Sequence, residues 1–78
     1  MLHNLDKIIL FHRKKSGFSR EKLGKLAGIG KTTIYDIEHG KQGVQFSSLL
    51  KLLDILNIHI KLESPLMSQC MGVIDEKS

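Results

Sequence analysis

Seventy-eight residues with a formal net charge of +4 and one cysteine, Cys70, bound this chain to a single domain with a small core. A disulfide within the chain is excluded, and the four histidines (His3, His12, His39, His59) lack the spacing of a zinc site, so neither metal nor cofactor is expected. The apolar run Ile8-Ile9-Leu10-Phe11 is too short for a secretory signal and nothing approaches membrane-spanning length, so a cytoplasmic protein is expected.

Residues 4–15 are predicted as a first helix, with Asn4 at the N-cap and Leu5, Ile8, Ile9 and His12 at helical spacing. Ser16-Gly17 ends it, Gly17 being suited to the left-handed C-cap conformation. Ser19 caps the next helix, and Leu23, Leu26 and Ala27 fall on one of its faces. Gly28-Ile29-Gly30 is a turn, in which Gly28 takes a positive φ and Ile29 plugs the gap between helices. A third helix runs from Lys31 to His39, with Ile34 and Ile37 on its inner face and Gly40 as its stop. Residues 41–45 read as a loop. A fourth helix follows from Ser47 to Leu56, with Phe46, Leu49, Leu50, Leu53 and Leu56 apolar at helical spacing and Asn57 ending it.

The period then changes. Ile58, Ile60 and Leu62 alternate with His59, Lys61 and Glu63, which predicts a strand over 58–62, closed by Pro65. A lone strand leaves its N–H and C=O groups unpaired. Pairing with the same strand of a second copy satisfies them, which makes Ile58, Ile60 and Leu62 the candidate dimerisation residues. Whether that strand swaps between subunits stays open, and an unpaired extended tail is the alternative. Residues 64–78 are expected as a flexible C-terminal tail, a docking segment for another protein being the sharper reading.

Two short helices joined by a glycine-bearing turn, the second presenting Gly30, Lys31, Thr32 and Thr33 from its N-terminus, have the layout of a helix-turn-helix. Charge agrees with that layout. From Lys7 to Lys41 nine bases face three acids, a local balance of +6, while the remainder of the chain is −2. A basic first half that contains the motif is the footprint of phosphate contact. Lys31, Thr32, Thr33 and Tyr35 are the candidates for base edges, although one threonine is expected to face inward or to cap the helix. Arg20 and Lys41 join them as candidate DNA-binding residues.

From Arg13 to Gly40 the chain resembles the Xre/Cro-type helix-turn-helix, the fold of the lambda and 434 repressors. Arg13, Leu23, Gly28-Ile29, Ile34, Glu38 and Gly40 carry the resemblance. It implies a mostly α, lambda-repressor-like bundle of four or five short helices, which with the strand over 58–62 that pairs across a dimer makes a DNA-binding domain of residues 4–63. It also implies a structural ion pair between Arg13 and Glu38. With a strand after so short a domain, the chain looks closest to the HipB-type antitoxins, dimeric repressors that bind their own palindromic operator and a HipA-type kinase toxin. A stand-alone phage- or plasmid-type repressor, and a helix-turn-helix interaction module without DNA binding, remain as alternatives.

The chain departs from the family in four places. Gly24 stands where Ala is usual, at a helix cost of about 1 kcal/mol. Arg20 replaces a Gln that binds phosphate in the family, a task a guanidinium can take over. Gly30 stands where Ser commonly caps the third helix, and His12, where an aliphatic residue is usual, is expected to be structural. Catalysis is not expected, because the chain lacks a nucleophile elbow, paired acids at useful spacing and a phosphate-cradling loop.

Overall fold

The computed structural model describes residues 4–77; His3 and Ser78, which enter the expectations above, lie outside them. Five helices follow in order: α1 (Leu5–Lys15), α2 (Arg20–Ala27), α3 (Lys31–Glu38), α4 (Phe46–Ile55) and α5 (Met67–Lys77).

Local chemistry sets the helix ends. Gly17, at φ 76°, donates its N–H to the Lys14 carbonyl at 3.1 Å, and Phe18 donates to Arg13 at 3.2 Å. This pair of bonds is a Schellman motif, which satisfies carbonyls that the last turn leaves open. Asn57 repeats it after α4: at φ 57° it donates to Asp54, while Ile58 donates to Leu53 at 2.8 Å. Ser19 caps α2 as expected, its Oγ accepting the Lys22 N–H at 3.0 Å. Asn4 does not cap α1 with its side chain. Its backbone is left-handed, φ 60°, where a side-chain cap requires an extended residue.

α3 lies against α1 and α2, and α4 closes the bundle over α2. Ile9, Leu23, Ile34, Ile37, Leu49, Leu52, Leu53 and Leu56 form the buried core, with Phe18, Ala27, Ile29 and Val44 packed around it. Each such aliphatic side chain contributes about 1.5–3 kcal/mol through burial. Four apolar residues placed at helical spacing are instead exposed: Ile8, Leu26, Phe46 and Leu50. In α2 the buried arc centres on Leu23, Gly24 and Ala27, and at about 100° per residue Leu26 lies off its edge. In α4 the stripe is Leu49, Leu52, Leu53 and Leu56, which passes Leu50 by.

Gly24 is a packing requirement and not merely a helix cost. A Cβ there would lie 2.6 Å from the Ile29 carbonyl oxygen, while the Ile29 N–H donates to the Gly24 carbonyl at 3.0 Å. The turn folds directly over this position. His12 is half-buried, and its Nδ1 bonds the Ile8 carbonyl at 2.7 Å, which suits a structural histidine.

The C-terminal region differs from expectation. Residues 58–63 carry no strand, because a single chain supplies no second strand to complete a ladder. Ile58 packs against the core, whereas Ile60 and Leu62 are exposed, by 42% and 73%. Within the segment 64–78, expected as a flexible tail, Met67–Lys77 form α5. From Ser68 to Asp75 every side chain of α5 is exposed.

Candidate nucleic-acid interface

Glu38 anchors the interface. Its side chain is fully buried, so it must find its charge partners within the protein. Arg13 of α1 donates Nε to Oε2 at 2.6 Å and Nη2 to Oε1 at 3.2 Å. Arg20, the first residue of α2, donates Nε to Oε1 at 2.8 Å. Arg13 also donates Nη1 to the Phe18 carbonyl at 2.9 Å, which ties the network to the chain between α1 and α2. One carboxylate therefore pins three helices. Only a planar, forked guanidinium can bind both carboxylate oxygens in this way. Among the described residues no buried side-chain nitrogen or oxygen lacks a partner.

The ion pair between Arg13 and Glu38 is thus present, and Arg20 has a role that sequence reading missed. Arg20 is 35% exposed along its side chain, and its guanidinium carbon lies 5.1 Å from the centre of the Tyr35 ring. Tyr35 in turn stacks on His39, with centroids 3.8 Å apart and planes 20° from parallel. The His39 Nδ1 bonds the Tyr35 carbonyl at 2.7 Å, which fixes the imidazole against the helix. A spacing of four residues puts Tyr35 and His39 on one face of α3, the only sequence signal that could have revealed this contact.

Lys31, Thr32 and Tyr35 are exposed along α3, and Thr33 is half-buried beside the core residue Ile34. Lys31, Thr32 and Thr33 occupy the first turn. Gly30 precedes them with an extended backbone and no side-chain cap, so the first N–H groups of α3 keep their partial positive charge facing outward. Lys41 lies at the other end of α3. Its backbone N–H donates to the Asp36 carbonyl at 2.9 Å and its Nζ to the Asp36 carboxylate at 3.3 Å. The structure thus brings Arg20 onto Tyr35 and tethers Lys41 to α3. The candidate dimerisation residues Ile58, Ile60 and Leu62 lie beyond α4, in a segment without regular secondary structure.

Among the described residues no group of three His, Cys, Asp or Glu side chains is placed to hold a metal ion. No helix among them is long and apolar enough to cross a membrane.

The comparisons with known proteins agree with this geometry. A helix-turn-helix family model matches residues 12–62. An MDT protein and a chain of a HipA–HipB–O2–O3 complex each superpose with a TM-score of 0.71. Each covers 80% of this chain and 87% of its own length at 22% identity, a likeness in fold. No curated protein matches. With the match spanning well over half of its residues, the chain belongs to the Xre-type helix-turn-helix family of DNA-binding regulators.

Proposed function

We propose that this protein is a sequence-specific transcriptional repressor that reads a palindromic operator as a homodimer and serves as the antitoxin of a HipA/HipB-like module. The observation that carries the DNA reading is the exposed, uncapped N-terminal turn of α3. It bears Lys31 and Thr32 and rests on a helix pinned by the buried carboxylate of Glu38.

In this mechanism Arg20, Lys41 and the exposed lysines Lys7, Lys14, Lys15, Lys22 and Lys25 contact phosphates and set the register. Lys31 and Thr32 meet base edges, Lys31 suiting the O6 and N7 acceptors of guanine. Tyr35 lies beside them, and Thr33 contributes least because it is half-buried. A second copy supplies the second half-site, about 34–36 Å away or a multiple of that distance. Ile58, Ile60 and Leu62 bring the copies together by forming the missing strand ladder across a two-fold axis. A HipA-type kinase toxin is the protein partner, a reading supported by the likeness to a chain solved in a HipA–HipB–O2–O3 complex. The protein acts in the bacterial cytoplasm, at the nucleoid when operator-bound.

The test is binding of the intact protein to the DNA upstream of its own reading frame, measured from about 50 to 200 mM salt. A steep linear fall of log affinity with log salt is expected, and no binding at the lowest salt would refute the reading. For the antitoxin role, a kinase-like reading frame should lie beside this one, and its product should co-purify with the protein.

A further inference from the structure

The stack of Tyr35 on His39 lies on the exposed side of α3, yet His39 belongs neither to the core nor to the first turn that presents Lys31 and Thr32. Its geometry is defined at every link. Nδ1 is bonded to the Tyr35 carbonyl, which orients the imidazole, and the ring lies nearly parallel to the Tyr35 ring at 3.8 Å. Arg20 closes the column at 5.1 Å from that ring and is itself held by Glu38 at 2.8 Å. A continuous path therefore runs from the buried ion pair, through Arg20 and Tyr35, to His39.

We propose that His39 is a positioning residue for DNA recognition: by stacking on Tyr35 it fixes, with Arg20, the direction in which Tyr35 meets the duplex. The inference rests on the DNA-binding reading above. Tyr35 is 48% exposed, and its ring meets both Arg20 and His39. An exposed aromatic side chain must be ordered on association unless it is ordered beforehand. Stacking between Arg20 and His39 supplies that order in the free protein. The bond from Arg20 to Glu38 runs through Nε, so the terminal nitrogens of Arg20 keep N–H groups to donate. Those nitrogens can reach a phosphate while Tyr35 stays in place.

The test begins with duplexes that the wild-type protein enriches from a random pool, used beside poly(dI·dC) as the nonspecific probe. His39→Ala should bind the enriched duplex about three- to tenfold more weakly, the range that one aromatic contact carries. Binding to poly(dI·dC) and the thermal midpoint should both stay at wild-type values. His39→Phe keeps a stacking ring without the imidazole nitrogens and should restore most of the loss. The proposal is overturned if His39→Ala binds the enriched duplex like wild type, if its midpoint falls in step with its affinity, or if His39→Phe is as weak as His39→Ala. Those results leave the DNA-binding reading intact. Failure of the wild-type protein to enrich any duplex overturns that reading, and this proposal with it.

Discussion

Arg13 on α1 and Glu38 at the end of α3 meet through two hydrogen bonds, of 2.6 and 3.2 Å, with both residues buried. Arg20 shares the same carboxylate, so removing it strands one buried guanidinium and loosens a second. Breaking a buried pair from one side costs about 3–5 kcal/mol, a large share of the stability of a domain this small. Glu38→Ala should accordingly shift the denaturant midpoint far down. Glu38 touches no base in the proposed mechanism, so any DNA binding that it loses should follow from loss of fold. A variant that melts like wild type yet fails to bind DNA would show that Glu38 acts at the interface itself. Replacing Arg13, Arg20 and Glu38 together by apolar residues of similar volume should recover much of the stability, because no charge is then left buried alone.

Gly24 and Gly30 should respond to added side chains in opposite directions. Gly24→Ala gains about 1 kcal/mol of helix propensity. It also places a Cβ 2.6 Å from a backbone carbonyl that closes the turn, and the turn must shift to relieve that contact. Overpacking of this kind costs about 1–3 kcal/mol, so the net change should be destabilising. Gly30 has an extended backbone and nothing within 4 Å of a built Cβ. Gly30→Ser supplies the missing cap of α3 and should raise stability by a few tenths of a kcal/mol. Paired thermal melts check both signs.

These two glycines also show what the sequence could reveal. Helices α1 to α4 were legible because each has an apolar stripe and a local stop, Gly17 and Asn57 being the clearest. Gly24 looked like a weakness because the close approach of Ile29 comes from the path of the turn, which no periodicity encodes. Leu26 and Leu50 are exposed despite their spacing, and Leu52 is buried without having been singled out by it, for a related reason. In short, leucine-rich helices, spacing permits several faces, and the neighbours decide which is covered. The helix at 67–77 is hard to read because Gly72 weakens its helical signal and its apolar residues Met71, Val73 and Ile74 stay about half exposed, outside the core. Along α3, the exposure of Lys31, Thr32 and Tyr35 follows from the motif. The link from Arg20 to Glu38 depends on three-dimensional proximity between residues eighteen apart.

Exposure separates the two threonines of α3. Thr32 is exposed and Thr33 half-buried, although both lie in the first turn. Lys31→Ala and Thr32→Ala should each weaken binding to a duplex enriched by the wild type by about 1–3 kcal/mol. Neither should move the melting temperature by more than a degree or two, since neither side chain packs in the core. Thr33→Ala should affect DNA affinity least of the three. A Thr33 effect as large as that of Thr32 would mean that α3 turns about its axis on binding.

Ile60 and Leu62 expose apolar surface in a segment without regular secondary structure, whose backbone has no ladder partner in one chain. If a second copy supplies that partner, removing one N–H from the ladder should cost the dimer more than the monomer. Ile60→Pro does this, since proline cannot donate and is not tolerated inside a paired strand. Leu62→Lys leaves the backbone intact and places like charges across the two-fold axis, which tests the interface without altering chain geometry. Both residues lie outside the buried core, so the helical bundle should retain its fold by circular dichroism. Both variants should sediment as monomers at concentrations where the wild type is dimeric. Operator affinity should fall by far more than nonspecific affinity, because one protomer reads a single half-site. A dimer that persists in both variants would place the interface elsewhere, and the exposed apolar residues of α5 (Met71, Val73 and Ile74) would be the next surface to substitute.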